Sequence, residues 1–161
     1  MNMSDIYEGA ARFINDLIRD EFRAQGHTLT GAFEESLTGK YTKFAKSDRL
    51  EGFGLSYGME VNRGLEPHQI SDKMYPGLVN YFILRGLTHP EAMKAATFTI
   101  RKWKQEGMST QKSKEYSSTG ARQNFVEAAF TGNDHVIDDF VLNLVDFAFE
   151  EQFKKVKSEI I

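Results

Sequence analysis

The chain of 161 residues contains no cysteine. This excludes a disulfide framework, a thiolate zinc site and a cysteine nucleophile. Proline occurs only 3 times, so little interrupts helix formation except glycine. No apolar run approaches the roughly 18 residues that a membrane span needs. Neither sign of charge dominates: 20 Lys and Arg stand against 23 Asp and Glu, a net charge of -3, which is not the strongly basic footprint of a domain that wraps nucleic acid. The opening Met1-Asn2-Met3-Ser4-Asp5 has no basic segment leading into an apolar one, which predicts synthesis and first assembly in a cytoplasm. What is present, 40% hydrophobic and 27% charged residues, suits a folded globular chain. At this length the expectation is one domain, residues 1–161, burying roughly two thirds of its extended surface.

Periodicity sets out the elements. From Ser4 to Gln25 apolar residues Ile6, Ala10, Phe13, Ile14, Leu17, Ile18 and Phe22 recur at three- and four-residue steps, which predicts an amphipathic helix stopped by Gly26. From Ala32 the period becomes two, with Phe33, Leu37 and Tyr41 on one face, and this reads as a half-buried strand. Phe53, Leu55 and Tyr57 alternate again beyond the polar Ala45-Lys46-Ser47-Asp48, so the two runs suggest a hairpin. Two strands are marginal alone, and further strands are expected from weaker segments or from the edge of an adjacent subunit.

Pro76 opens a helix through Leu78, Val79, Phe82 and Ile83, closed by Gly86. Thr88 with Glu91 three residues on is a capping box, followed by a narrow stripe of Ala92, Ala95, Ala96, Ile100 and Trp103. Together these predict a helical hairpin over about 75–106. A polar loop, about 107–120, follows with Lys112, Lys114 and Tyr116, and is expected to be mobile or ordered by a partner. Helical spacing returns at Phe125, Val126, Ala129 and Phe130, breaks at Thr131-Gly132-Asn133, and resumes in a long last helix from Val136. The expected class is α+β: a small antiparallel sheet flanked by an N-terminal helix, an inserted helical hairpin and a long C-terminal helix.

No constellation of residues points to catalysis or to a cofactor. His27, His68, His89 and His135 fall in four separate turns or helix starts, without the i, i+4 pairing of a zinc helix. Asp134, Asp138 and Asp139 open the last helix, where carboxylates complement the helix dipole. Gly52-Phe53-Gly54 lacks the lysine and hydroxyl of a phosphate loop. The expectation is therefore no enzyme, no cofactor and no metal. Charge is uneven, however: Arg85 to Arg122 carries eight Lys and Arg against three Asp and Glu, and Glu127 to Ile161 carries three against eight. Opposite regions of this kind allow head-to-tail pairing of copies. Lys94, Arg101, Lys102 and Lys104 around Trp103 leave open a second reading, a small nucleic-acid-associated regulator using the basic 85–122 region.

Two motifs carry a resemblance. Leu29-Thr30-Gly31-Ala32-Phe33-Glu34-Glu35-Ser36-Leu37 and Gly64-Leu65-Glu66-Pro67-His68-Gln69-Ile70 resemble paired signatures of the tail-completion, head-tail connector or minor tail proteins of tailed bacteriophages. Gly120 through Ala129 is similar to the segment that introduces the last helix of that family. This chain has Leu65 where the family usually has threonine, and its inserted hairpin resembles versions in phages of gut Bacteroidetes. The resemblance implies a structural virion protein assembled in the host cytoplasm into a neck ring of six or twelve copies. It implies a portal or adaptor ring and tail proteins as neighbours, DNA passing through the lumen without sequence-specific contact, and no membrane. Residues two apart on a helix point about 160° from each other, so Phe147, Phe149 and Phe153 cannot all share a stripe with Phe140 and Leu144. At least one is expected to leave the subunit core, and these three, with Lys112, Lys114 and Tyr116, are the candidate interface residues.

Overall fold

The computed structural model describes residues 3–160. The fold is α+β, mostly helical with one small antiparallel sheet. Its elements are α1 (Met3–Ala24), α2 (Ala32–Ser36), β1 (Thr38–Lys43), β2 (Asp48–Phe53), α3 (Tyr57–Arg63), α4 (Tyr75–Leu84), α5 (His89–Glu106), α6 (Phe125–Thr131) and α7 (Asp134–Ile160), with short 3-10 helices at Pro67–Gln69, Asp72–Met74 and Gln111–Tyr116. They form two compact units that share the chain alternately. One holds residues up to Glu21, Ala32–Leu55 and Val126 onward, and the other holds Phe22–Gly31 and Ser56–Phe125.

In the first unit the stripe of α1 forms as its spacing predicts, with Ile6, Ala10 and Ala11 buried. Phe13 stacks on Phe140 of α7 at 4.3 Å between ring centroids, and Tyr7 stacks on Tyr41 of β1 at 4.5 Å. A side chain at Gly39 would collide with the Cβ of Ala11, so glycine lets β1 lie close against the helix. Gly9 faces Leu144 of α7, where an added Cβ would sit 3.4 Å from a methyl group, an ordinary contact.

The strands differ from the alternating pattern. Ala32–Ser36 is a helical turn, and β1 starts at Thr38. Phe33 and Leu37 are four apart, a spacing that serves a helix as well as a strand face, and long-range bonds decide between them. Arg19 donates from Nε to the Glu34 carbonyl at 2.8 Å and from Nη2 to the Leu37 carbonyl at 3.1 Å, satisfying acceptors that a helix end leaves open. Glu34, placed by alternation on the wet side, is buried. The second strand lies earlier than Phe53, Leu55 and Tyr57 suggest: Asp48–Phe53 pairs with Thr38–Lys43, Tyr41 facing Leu50 and Gly39 facing Gly52. Leu55 lies beyond the strand, its N–H bonded to Ser36 Oγ at 3.0 Å, and Tyr57 begins α3. Among the described residues no third strand joins this sheet.

The second unit contains the helical hairpin and the end of α1. The capping box forms as read: the Thr88 N–H and Oγ1 both donate to Glu91 Oε2, at 3.0 and 2.6 Å, and these bonds hold the Glu91 carboxyl below its usual range. Ala92 and Ala96 of α5 are fully buried against Val79 of α4, with Tyr75, Leu78, Phe82 and Leu87 around them. Gly26 ends α1 at φ +70°. The polar segment 107–120 is fastened at both ends by backbone bonds. Met108 N–H donates to the Leu65 carbonyl and Ser118 N–H to the Ala24 carbonyl, each at 2.8 Å, and Gln111–Tyr116 between them forms a 3-10 helix.

A buried aromatic and polar knot closes this unit. Phe125 is completely buried, edge-on to Phe22 at 5.1 Å and beside the His27 ring. Arg122 donates from Nη1 to the Gln25 and Gly26 carbonyls at 2.8 and 3.1 Å. Burial lowers the Arg122 pKa, the Tyr81 hydroxyl opposes that shift and Arg85 adds to it. Asn124 takes the left-handed conformation at φ +58°, which asparagine tolerates better than most residues, and its N–H reaches the carbonyl of the buried Asn62 at 2.6 Å. Gln123 Nε2 donates to the Arg63 carbonyl at 2.9 Å.

His27 is held neutral in this knot. Burial first, then the Arg122 charge, lowers its pKa to about 4, against an opposing hydrogen bond to the Arg122 backbone. The unfolded chain takes up this proton near 6.5 and the folded chain does not until about 4, so the stabilising contribution is complete above pH 6.5 and falls as pH drops through that window. Denaturant titrations at pH 7.5, 5.5 and 4.5 are expected to show declining midpoints, with a shallower decline for His27→Gln. Phe125→Ala is expected to cost about 3 kcal/mol or more, measured in the same titrations at pH 7.5.

Candidate subunit interface

The last helix carries a packed apolar arc and, beside it, an exposed one. Its inner side follows from α1: Phe140 meets Phe13, Leu144 meets Gly9, and Ile137, Val141, Val145 and Ala148 are half-buried along the same arc. Its outer side carries Leu142, Phe149, Phe153 and Val156, at 60, 61, 73 and 51% exposure. Steps of seven, four and three residues at about 100° each bring these four within about 60° of one another on the helix. They form one stripe centred about 120° from the middle of the packed arc, with Val145 between the two.

The three phenylalanines singled out by sequence therefore separate. Phe149 and Phe153 lie on the outer stripe, whereas Phe147 lies toward the margin of the inner side and is partly open to solvent. Leu142 and Val156 belong to the stripe and were missed, although a helical projection of the sequence places them there. Beyond Glu151 every residue to Lys157 is exposed, so the last turns of α7 have no packed side within the described residues. Isolated helical turns gain little from propensity alone, and burying each large apolar side chain would contribute roughly 1.5–3 kcal/mol.

The other candidate residues lie in the second unit. Lys112, Lys114 and Tyr116 are all exposed on the 3-10 helix Gln111–Tyr116, with Tyr116 the most exposed large hydrophobic side chain among the described residues at 76%. The tyrosine carbonyl faces inward over Gly26, where any Cβ would strike it. The backbone of this segment is thus a structural staple, and its side chains point into solvent.

On α5 the residues opposite the Ala92 and Ala96 side are Lys94, Phe98, Arg101 and Gln105, all exposed. Trp103 is half-buried, Lys102 pairs with Glu106 and Lys104 pairs with Asp72 at 2.8 Å. Lys94 and Arg101 have no ionic partner among the described residues. A cleft of about 220 Å³ lined by Asp72, Tyr75, Thr97, Ile100, Arg101 and Lys104 lies beside them, smaller than the roughly 300–1,000 Å³ of most small-molecule sites. Among the described residues no three His, Asp or Glu side chains gather as a metal site, and no helix is long and apolar enough to cross a membrane. No family model, curated protein or solved structure matches this chain.

If the outer stripe is an interface, a charge placed on it should damage association and spare the subunit. Phe149→Asp and Phe153→Asp are expected to leave the circular dichroism spectrum and melting temperature of the separated subunit nearly unchanged and to abolish assembly seen by sedimentation. Phe140→Ala, on the inner side, is expected to lower the melting temperature instead.

Proposed function

We propose that the chain is a structural virion protein, a ring-forming subunit in the neck of a tailed bacteriophage, joining the portal side to the tail and leaving a lumen for DNA. The observation that carries this reading is the two-faced last helix. One side completes the subunit and the other presents an apolar stripe to solvent, as a component built for assembly requires. The order of the two sequence motifs and the inserted hairpin point the same way through their resemblance to tail-completion proteins. Function in this reading is mechanical, with no residue assigned to catalysis and no cofactor required.

The motifs have structural roles compatible with a rigid subunit. Gly31, at φ +78°, introduces α2, and Gly64, at φ +71°, ends α3 before the Pro67 turn that buries Ile70. The second reading, a nucleic-acid-associated regulator, rests on Lys94 and Arg101 around the exposed Phe98; DNA affinity that falls steeply with added salt would favour it.

Negative-stain microscopy and mass photometry of the purified chain, alone and with portal and tail components of the same particle, test the leading reading. Closed rings of uniform size are expected. A monomer under every condition, including in the presence of those components, would overturn it.

A further inference from the structure

We infer that the outer stripe of α7 docks on the α5 face of a second copy of this chain, in a head-to-tail contact. The inference rests on the reading of the chain as a self-assembling subunit and adds the two surfaces that meet. Three observations carry it.

The first is the apolar content of the two faces. Leu142, Phe149, Phe153 and Val156 form a stripe on α7, and Phe98 stands 63% exposed on the open side of α5. An exposed aromatic flanked by polar residues is the usual anchor of a helix in an apolar groove.

The second is charge. From Asp134 to Glu151 α7 carries Asp134, Asp138, Asp139, Asp146, Glu150 and Glu151 and no Lys or Arg. Asp138, Asp139, Asp146 and Glu150 border the outer stripe and are exposed. From Lys94 to Lys104 α5 carries Lys94, Arg101, Lys102 and Lys104 and no Asp or Glu. Lys94 and Arg101, which flank Phe98 on the open side, are the two without an ionic partner. Opposite rims around apolar centres steer encounter and select against wrong pairings.

The third is the poor fit of the alternative self-contact. If two α7 stripes met about a two-fold axis near Phe149, Asp146 and Glu150 of both copies would crowd that axis, and like charges at close range repel. The α5 face removes this conflict. Because the two surfaces are different, the contact is heterologous. Repetition then closes a ring if the rotation allows and propagates a filament if it does not.

The test uses two charge-reversed proteins. Asp139→Lys/Asp146→Lys makes both faces basic, and Lys94→Glu/Arg101→Glu makes both acidic. Each alone is expected to self-associate at least tenfold more weakly than the wild type in sedimentation velocity, and an equimolar mixture is expected to recover assembly, because every contact then joins opposite charges. Circular dichroism of each variant checks that it is folded. If one does not fold, Asp139→Asn/Asp146→Asn and a salt titration of wild-type association replace it, with weakening expected in both.

If Lys94→Glu/Arg101→Glu alone associates as the wild type does, the α5 face is not the partner and the inference fails. Should that variant also lose binding to a DNA duplex, the face belongs to nucleic acid. If rings form and neither reversal alters them, the inference fails while the ring reading stands. Recovery in the mixture as filaments or pairs without closed rings supports the contact and removes the ring reading.

Discussion

The Arg122 guanidinium is the contact on which the second unit depends. A helix leaves its last carbonyls without partners, and at the end of α1 the acceptors of Gln25 and Gly26 lie where water is scarce. Arg122, 97 residues away in sequence, supplies the donor. The cost is desolvation of its charge, and the same charge discourages a proton on His27. One residue therefore ends a helix, joins distant segments and fixes the ionisation of a neighbouring ring. Around it, the Asn124 backbone N–H on the Asn62 carbonyl and the Gln123 side chain on the Arg63 carbonyl repeat the same logic: residues just before α6 satisfy carbonyls at the end of α3.

Elements whose reasons are local were legible in the sequence. The stripe of α1, the capping box of Thr88 and Glu91, the hairpin of α4 and α5, and the length of α7 all follow from spacing and caps within a few residues. Elements decided by distant partners were not. Phe33 and Leu37 fit either period, and Arg19 on the Glu34 and Leu37 carbonyls selects the helix. The second strand lies on Asp48–Phe53, where the sequence has no clean alternation, because β1 sets its register. The 107–120 segment reads as loose by composition, yet backbone bonds to Leu65 and Ala24 hold it, and nothing in its own residues announces those acceptors. Of the candidate interface, the excess of phenylalanine on the last helix was visible, but its division between an inner and an outer side needs Phe13 and Gly9 of α1 as reference.

A helix with two apolar sides is costly in a lone subunit and useful in an assembly. Its inner side contributes to the core through stacked rings, and its outer side keeps a set of contacts in reserve. The acidic rim along Asp138 to Glu150 biases which surface can satisfy it. Specificity of this kind relies on repulsion of wrong partners as much as on attraction of the right one. If the proposed contact holds, the arrangement also separates two properties in mutation: changes on the inner side act on folding, and changes on the outer side on assembly.

The chain passes between its two units four times, and this sets an order of events during synthesis. Phe13 and Phe22 of α1 are made early, but Phe140 and Phe125, which their rings meet, are made more than 100 residues later. At roughly 5–20 residues per second, α1 waits on the order of 5–20 s on the ribosome before either core can close. During that interval its apolar stripe is a natural client for a holding chaperone. The outer stripe of α7 has the opposite history, because α7 follows every other element described. It emerges only when every other described element has already been made.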